Sequence, residues 1–194
     1  MDRLSGLSFD QVFEAAASTA PSPGGGAVMG LVGMMGVALL LKAVRISLKR
    51  RPDDEALAAA EGEFDRLARR LAADADADAA SFDAYMAAGR LPRESAERVQ
   101  RLDAAALDSI EVAIVALGHA AEGITLGKSL AERLSPRMAP DLAGGLALLE
   151  AVRANAVDNA RDSLDRTEDS PRRAALSERL GQLIAATADA VERV

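Results

Sequence analysis

A chain of 194 residues that is 49% hydrophobic but only 3% aromatic has the length of a single domain, residues 1–194, with a core of Ala, Leu, Val and Met. A formal charge of −7 excludes nucleic acid as the main partner, because neutralising phosphates needs a dense basic surface. Zero cysteines exclude disulfides, thiolate nucleophiles and sulfur-ligated zinc, and a single histidine leaves no histidine metal cluster, so no metal is expected and a cytoplasmic setting is.

The amino-terminal stretch MDRLSGLSFDQ has no apolar signal core, so no export signal is expected. Ser8 with Gln11 reads as a capping box and Leu7 with Val12 as a hydrophobic staple, which predicts a helix over about residues 9–19. Pro21-Ser22-Pro23-Gly24-Gly25-Gly26 cannot propagate regular structure, whereas residues 27–41 carry no charge and are rich in helix formers. A loop therefore feeds a buried helix. Its first amides lack intrahelical acceptors, and glycines without Cβ allow close approach, so the turn is a candidate cradle for an anion or a carbonyl oxygen. The competing reading is a plain flexible connection. The uncharged run of fifteen residues falls short of the roughly 18–20 a membrane span needs, so no membrane partner is expected. Being apolar on every side, this helix is expected inside a soluble bundle and shared with a second subunit. Gly30, Gly33 and Gly36 on one face should bring another helix near, and Lys42, Arg45 and Lys49 share a side that serves either an acidic ligand or solvent.

Beyond Pro52, the residues Leu57, Phe64, Leu67, Leu71, Phe82 and Tyr85 trace an apolar stripe at helical spacing, predicting one helix over residues 54–88. Asp78 falls on that stripe, seven residues after Leu71 and four before Phe82, whereas Asp76 and Asp83 point elsewhere. A carboxylate among apolar neighbours must be paired, hydrogen-bonded or shifted upward in pKa, and functional sites use such shifts. Asp78 is thus either a working acid or a structural aspartate satisfied by an adjacent helix. Pro92 separates this helix from one expected over residues 94–134, with Val99, Leu102, Ala106, Ile110, Ala113 and Leu117 facing inward. His119 is the one side chain that ordinarily titrates near neutrality, but no neighbouring carboxylate or hydroxyl in the sequence marks a dyad, which favours a packed or exposed histidine. Residues 135–141 form a loop with Pro140 and Asp141 suited to the first turn of the next helix, where Asp141 would complement the dipole. That helix runs to about residue 165 with Asn155 and Asn159 on its buried flank. Ser170 and Pro171 open the last helix, with Leu176, Leu180, Leu183 and Ile184 inward. The whole reads as an all-α bundle of long antiparallel helices, with homodimer packing through the Gly-rich central helix.

Four segments, in order, resemble the formiminotransferase-cyclodeaminase and methenyltetrahydrofolate cyclohydrolase family. Pro21-Ser22-Pro23-Gly24-Gly25-Gly26 is similar to its Pro-x-Pro-Gly-Gly-Gly signature, and residues 76–88 with Leu91-Pro92 to its Asp-rich segment. Residues 135–141 are similar to the loop ending in Ser-Asp, and Asn159-Ala160-Arg161 to a late Asn-x-Arg. The resemblance implies a homodimeric all-α subunit with a tetrahydrofolate derivative bound near the Gly-rich turn, as substrate of a cyclohydrolase or a cyclodeaminase. In the first reaction water attacks the carbon between N5 and N10, and in the second N10 attacks the N5-formimino carbon and ammonia leaves protonated. Both need a carboxyl group exchanging a proton near a cation. Asp78 is the candidate for it, with Ser22, Gly24, Gly25, Gly26, Asp141, Asn159 and Lys49 as substrate-binding candidates. The family's Asn-Leu-Thr-x-Gly-Lys stretch reads Arg45-Ile46-Ser47-Leu48-Lys49-Arg50 here, and Ser109 stands where members often carry proline. A folate-binding homologue without turnover and a helical interaction protein are the alternative functions.

Overall fold

The computed structural model describes residues 3–192, which among them contain helices and no strand, as the alanine- and leucine-rich composition predicts. The elements are α1 (Phe9–Ala17), α2 (Gly25–Leu48), α3 (Glu55–Gly89), α4 (Ala96–Ser129), α5 (Ala139–Asp165) and α6 (Pro171–Glu192), with 3-10 turns at Leu4–Gly6, Ala131–Arg133 and Pro136–Met138. The caps follow the sequence. Ser8 Oγ accepts from the Gln11 amide at 3.3 Å while Gln11 Oε1 accepts from the Ser8 amide at 2.8 Å, and Asp54 accepts from the Leu57 amide at 3.2 Å. Helix α1 stops two residues short of its predicted end because the Ser18 hydroxyl turns back to donate to the Ala15 carbonyl at 2.7 Å.

Helix α2 packs on α3 and α5, and α4 packs on the same two, so α2 and α4 sit on opposite corners of a four-helix arrangement. Short connections between successive neighbours make the run α2 to α5 antiparallel. Helix α6 lies on α4 and α5, and the first 3-10 turn is tied to α3 by Ser5, whose amide and hydroxyl donate to Asp76 at 3.1 and 2.8 Å. One apolar cluster joins α2, α3, α4 and α5 around Leu40, Leu57, Phe64, Leu71 and Leu149; a second joins α4, α5 and α6 around Ile110, Leu117, Ala160 and Leu180.

Several expectations change. The stretch 94–134 breaks at Leu130 into α4 and a 3-10 turn, and Val99 is 51% exposed because the buried part of α4 begins only at Ala105. Phe82 and Tyr85 are half-buried rather than core, since α2 starts level with Asp78 and does not cover α3 beyond it. Helices α2 and α4 are long and apolar enough, by length and composition, to cross a membrane, which counting only the uncharged run missed; only half of the apolar window of α2 is buried inside the protein, so within one chain α2 keeps an open flank instead of being interior on every side.

The glycines of α2 face two neighbours instead of one. A Cβ on Gly33 would meet Leu71 of α3 and Val152 of α5, and one on Gly36 would meet the Gly145 carbonyl of α5. Among Gly30, Gly33 and Gly36 contact is tightest at Gly30, where a Cβ would lie 2.8 Å from the backbone nitrogen and the Cβ of Ala75. The wall there is backbone and cannot swing aside. Gly30→Ala should therefore destabilise the fold by about 2 kcal/mol, the overpacking penalty exceeding the ~1 kcal/mol of helix propensity gained. Gly62→Ala, whose Cβ would meet only the flexible tip of Arg66 at 3.7 Å, should stabilise by up to ~1 kcal/mol. Urea denaturation of the two variants checks the opposite signs.

Candidate functional site

The Gly-rich turn holds a carboxylate belonging to the chain itself. Helix α2 starts at Gly25 behind Gly24, which offers no side-chain cap, so the first amides are free to take another acceptor. Asp78 of α3 supplies it, with the Ala27 amide favouring its carboxylate form. A Cβ on Gly26 would fall 2.6 Å from Cγ and 2.8 Å from Oδ2 of Asp78, so only glycine admits the carboxyl to this turn. The cradle expected for an external anion is thereby occupied by Asp78. Asp78 is half-buried, as its place on the stripe predicts.

Four helices meet beside it. Asp74 and Asp78 from α3, Asn155 and Asn159 from α5, Gly26, Met29 and Gly30 from α2, and Val112, Ala113 and Ala116 from α4 enclose a cavity of about 20 Å³. That is room for one water molecule and no pterin. Gly26 and Gly30 allow α2 and α3 to close so tightly that a wide ligand pocket, expected here, is not formed within one chain. Asn159 Nδ2 donates to Asn155 Oδ1 at 3.2 Å, and Asn155 Nδ2 would lie 3.8 Å from a Cβ on Gly25. Gly25, Gly26, Asp78 and Asn159 are thus brought together as the sequence suggested.

Sequence reasoning missed a pair on the inner side of this cavity. Asp74, 7% exposed, bonds His119 Nδ1 through Oδ2 at 2.7 Å. His119 therefore has a carboxylate partner, which the sequence analysis did not assign. The signal was available in the spacing: Asp74 lies three residues after Leu71 and four before Asp78, on the same face of α3.

Other candidates lie apart. Ser22 Oγ is buried without a hydrogen-bond partner among the described residues, and with Pro23 it lines a separate cleft of about 280 Å³ next to Leu4, Leu7, Asp76 and Asp83. Asp141 pairs with Lys42 at 2.7 Å, some 24 Å along α2 from Gly26 at the usual helical rise. Lys49 caps the far end of α2, about 35 Å away by the same measure. Within one chain neither can touch a ligand at Asp78. Arg45 is bound by Glu61 at 2.7 Å and Asp65 at 3.3 Å, and the carboxylates hold its guanidinium above its usual pKa, against a smaller desolvation. Ser47, in the stretch that departs from the family pattern, is buried and accepts from the Ser135 amide at 2.8 Å, anchoring the loop before α5.

Burial pushes the Asp78 carboxyl above its ordinary pKa, and the Ala27 amide offsets part of that rise. A carboxyl whose folded pKa is raised costs stability wherever it is ionised. The cost is full above the folded pKa, shrinks as pH falls through it, and vanishes below the unfolded value. Asp78→Asn should accordingly melt at or above the parent temperature at pH 7, with the gap closing towards about pH 4. Thermal unfolding between these limits checks it, and a variant whose deficit grows as pH rises contradicts the assignment.

Comparison with curated proteins gives no match. Among solved structures, the formiminotetrahydrofolate cyclodeaminase of Thermotoga maritima superposes with a TM-score of 0.87 at 21% identity, covering 98% of this chain and 94% of that one. At that identity the likeness establishes the all-α fold. The family model described as formiminotransferase-cyclodeaminase matches residues 8–182, a span holding the Gly-rich turn, both aspartates, His119 and both asparagines, and the chain belongs to that family.

Proposed function

We propose that the protein is a folate one-carbon enzyme, a methenyltetrahydrofolate cyclohydrolase or a formiminotetrahydrofolate cyclodeaminase, in which Asp78 transfers the proton. The observation that carries this reading is a half-buried carboxyl of raised pKa fixed on the first turn of α2, in a chain of this family. A carboxyl so placed keeps its proton closer to neutrality than a solvated one does, and so serves as donor or acceptor. For deamination, N10 attacks the formimino carbon, the N10 proton passes to the imino nitrogen, and protonated Asp78 delivers a further proton to that nitrogen as its bond to carbon breaks, so that ammonia leaves and the methenyl cation remains. For hydrolysis, ionised Asp78 takes a proton from the water that adds to the methenyl carbon. Asn155 and Asn159 offer amide groups to the polar edge of a pterin, and Gly25 leaves backbone accessible beside them.

The narrow cavity of one chain means that the folate ring must rest on the outer side of Asp78. Phe9 and Phe13 of α1, 83% and 62% exposed, and Met35 of α2, 56% exposed, are large apolar side chains left on the surface. A second copy packed there would wall the cleft and cover the open flank of α2. In this reading Lys42 and Arg45 serve the fold through their ion pairs.

The test is the absorbance decay of methenyltetrahydrofolate and the release of ammonia from formiminotetrahydrofolate, with parent and Asp78→Asn side by side. The parent should turn over one of the two and the variant should lose about 100-fold or more in kcat. A parent inactive on both refutes the enzyme. Folate binding by calorimetry without turnover would instead support a binding homologue, to which the altered 45–50 stretch points.

A further inference from the structure

The cleft that holds Ser22 is separate from the cavity at Asp78 and has the make-up of a small-molecule site. Its floor is one face of α3, where Asp76, Ala79, Ala80 and Asp83 follow one another at helical spacing, so two methyl groups lie between two carboxylates. Leu4, Leu7 and Pro23 add apolar wall. Its volume of about 280 Å³ falls just below the ~300–1,000 Å³ that encloses a drug-sized ligand, and a mostly apolar lining with few polar groups is what such pockets share. One end is anchored. Leu4 is buried, and Ser5 gives both its amide and its hydroxyl to Asp76. The cover is loose. Helix α1, whose Ala15 lines the cleft, buries none of its residues, and its side-chain hydrogen bonds go to Ser8 and Ser18 at its own ends. Val12 packs on the small cluster of Leu4, Ala27 and Ala75. A helix with so little buried surface belongs to the parts of a fold that open most readily.

Three polar groups of the cleft have no partner among the described residues: the Arg3 guanidinium, the Asp83 carboxylate and the Ser22 hydroxyl, whose oxygen is buried. Asp76, by contrast, has an oxygen engaged by each of the two Ser5 donors. We propose that this cleft binds a small aliphatic amino-carboxylate, with α1 as its movable cover. The ligand's ammonium pairs with Asp83, its carboxylate with Arg3, and its hydrocarbon lies on Ala79 and Ala80. Lifting α1 lets the Ser22 hydroxyl donate to the same carboxylate. A zwitterion answers both charges of the cleft, whereas a simple amine would face Arg3 and a simple acid would face Asp83. Asp78 is not among the residues of this cleft, so the ligand is distinct from the molecule that reacts there. Ser22 and Pro23 run directly into Gly24, Gly25 and Gly26, so a bound ligand steadies the loop that feeds the turn at Asp78.

This site stands independently of the folate reading, and its test needs no turnover. Calorimetric titration uses L-leucine, with both charges on one carbon, and ε-aminocaproate, with the charges at the two ends of the chain. At least one should bind with a dissociation constant of about 1 mM or tighter, as ligands of this size can. Isocaproate and hexylamine, which keep one charge each, should bind about tenfold more weakly, since each leaves a charged group of the cleft unanswered. Arg3→Gln and Asp83→Asn remove groups that make no bond among the described residues, and each should weaken the zwitterion about tenfold with the circular dichroism unchanged. Ala80→Leu, which fills the floor, should abolish binding. Amide NMR signals of Ser22 and Gly24 should move on binding while those of Val112 and Ala116, at the Asp78 cavity, stay in place. The proposal is overturned if neither zwitterion binds, if the singly charged analogues bind as tightly, or if Asp83→Asn leaves the affinity unchanged.

Discussion

The carboxyl of Asp78 lying on the first turn of α2 is the contact on which the site depends. It is possible because Gly26 has no Cβ, and it fixes the height of α2 against α3. From that level inward the two helices match residue for residue, Gly30 against Ala75 and Gly33 against Leu71. The Ala27 amide and the positive end of α2 favour the anion, while burial opposes it, and burial wins. An acid left with a raised pKa by its own scaffold is a group under tension between fold and chemistry, as functional groups commonly are.

The position of this contact in the bundle follows from where α2 begins. The Pro-Gly loop holds the start of α2 back, so the far halves of α3 and α4 run on without it, and the polar groups collect at the step. Asp74, Asp78, Asn155 and Asn159 lie between the apolar cluster of α2 to α5 and that of α4 to α6. Four polar side chains in such a seam cost free energy unless they satisfy one another, and they do so in part: Asp74 with His119, Asn159 with Asn155, Asp78 with the Ala27 amide. Apolar residues would serve packing better at each position, so the seam is better explained by chemistry than by stability.

The cations after the apolar run have a different role. Lys42, Arg45 and Lys49 look from their spacing like a row able to meet an acidic ligand, yet Lys42 and Arg45 are engaged by Asp141, Glu61 and Asp65 in exposed pairs that hold helix against helix weakly. They stand well removed from Asp78 along α2. The hydroxyl of Ser47 among them is a link to the loop before α5, which explains why a hydroxyl-bearing residue is useful there.

Periodicity and caps alone determined the helices, their order and most of their inward faces, Val99, Phe82 and Tyr85 being the exceptions, because those are local properties of spacing and of backbone groups that need partners. The same local logic put Asp78 on the apolar stripe and Gly26 at a helix start. What only tertiary structure decided was which amides meet which carboxylate, since the turn that looked open to a ligand is filled from a residue fifty-two positions later in the chain. The Asp74–His119 pair was likewise hidden, joining groups forty-five residues apart through the crossing of α3 and α4. Distances of that kind are set by how closely glycines let helices approach, and one chain read in order carries no measure of it.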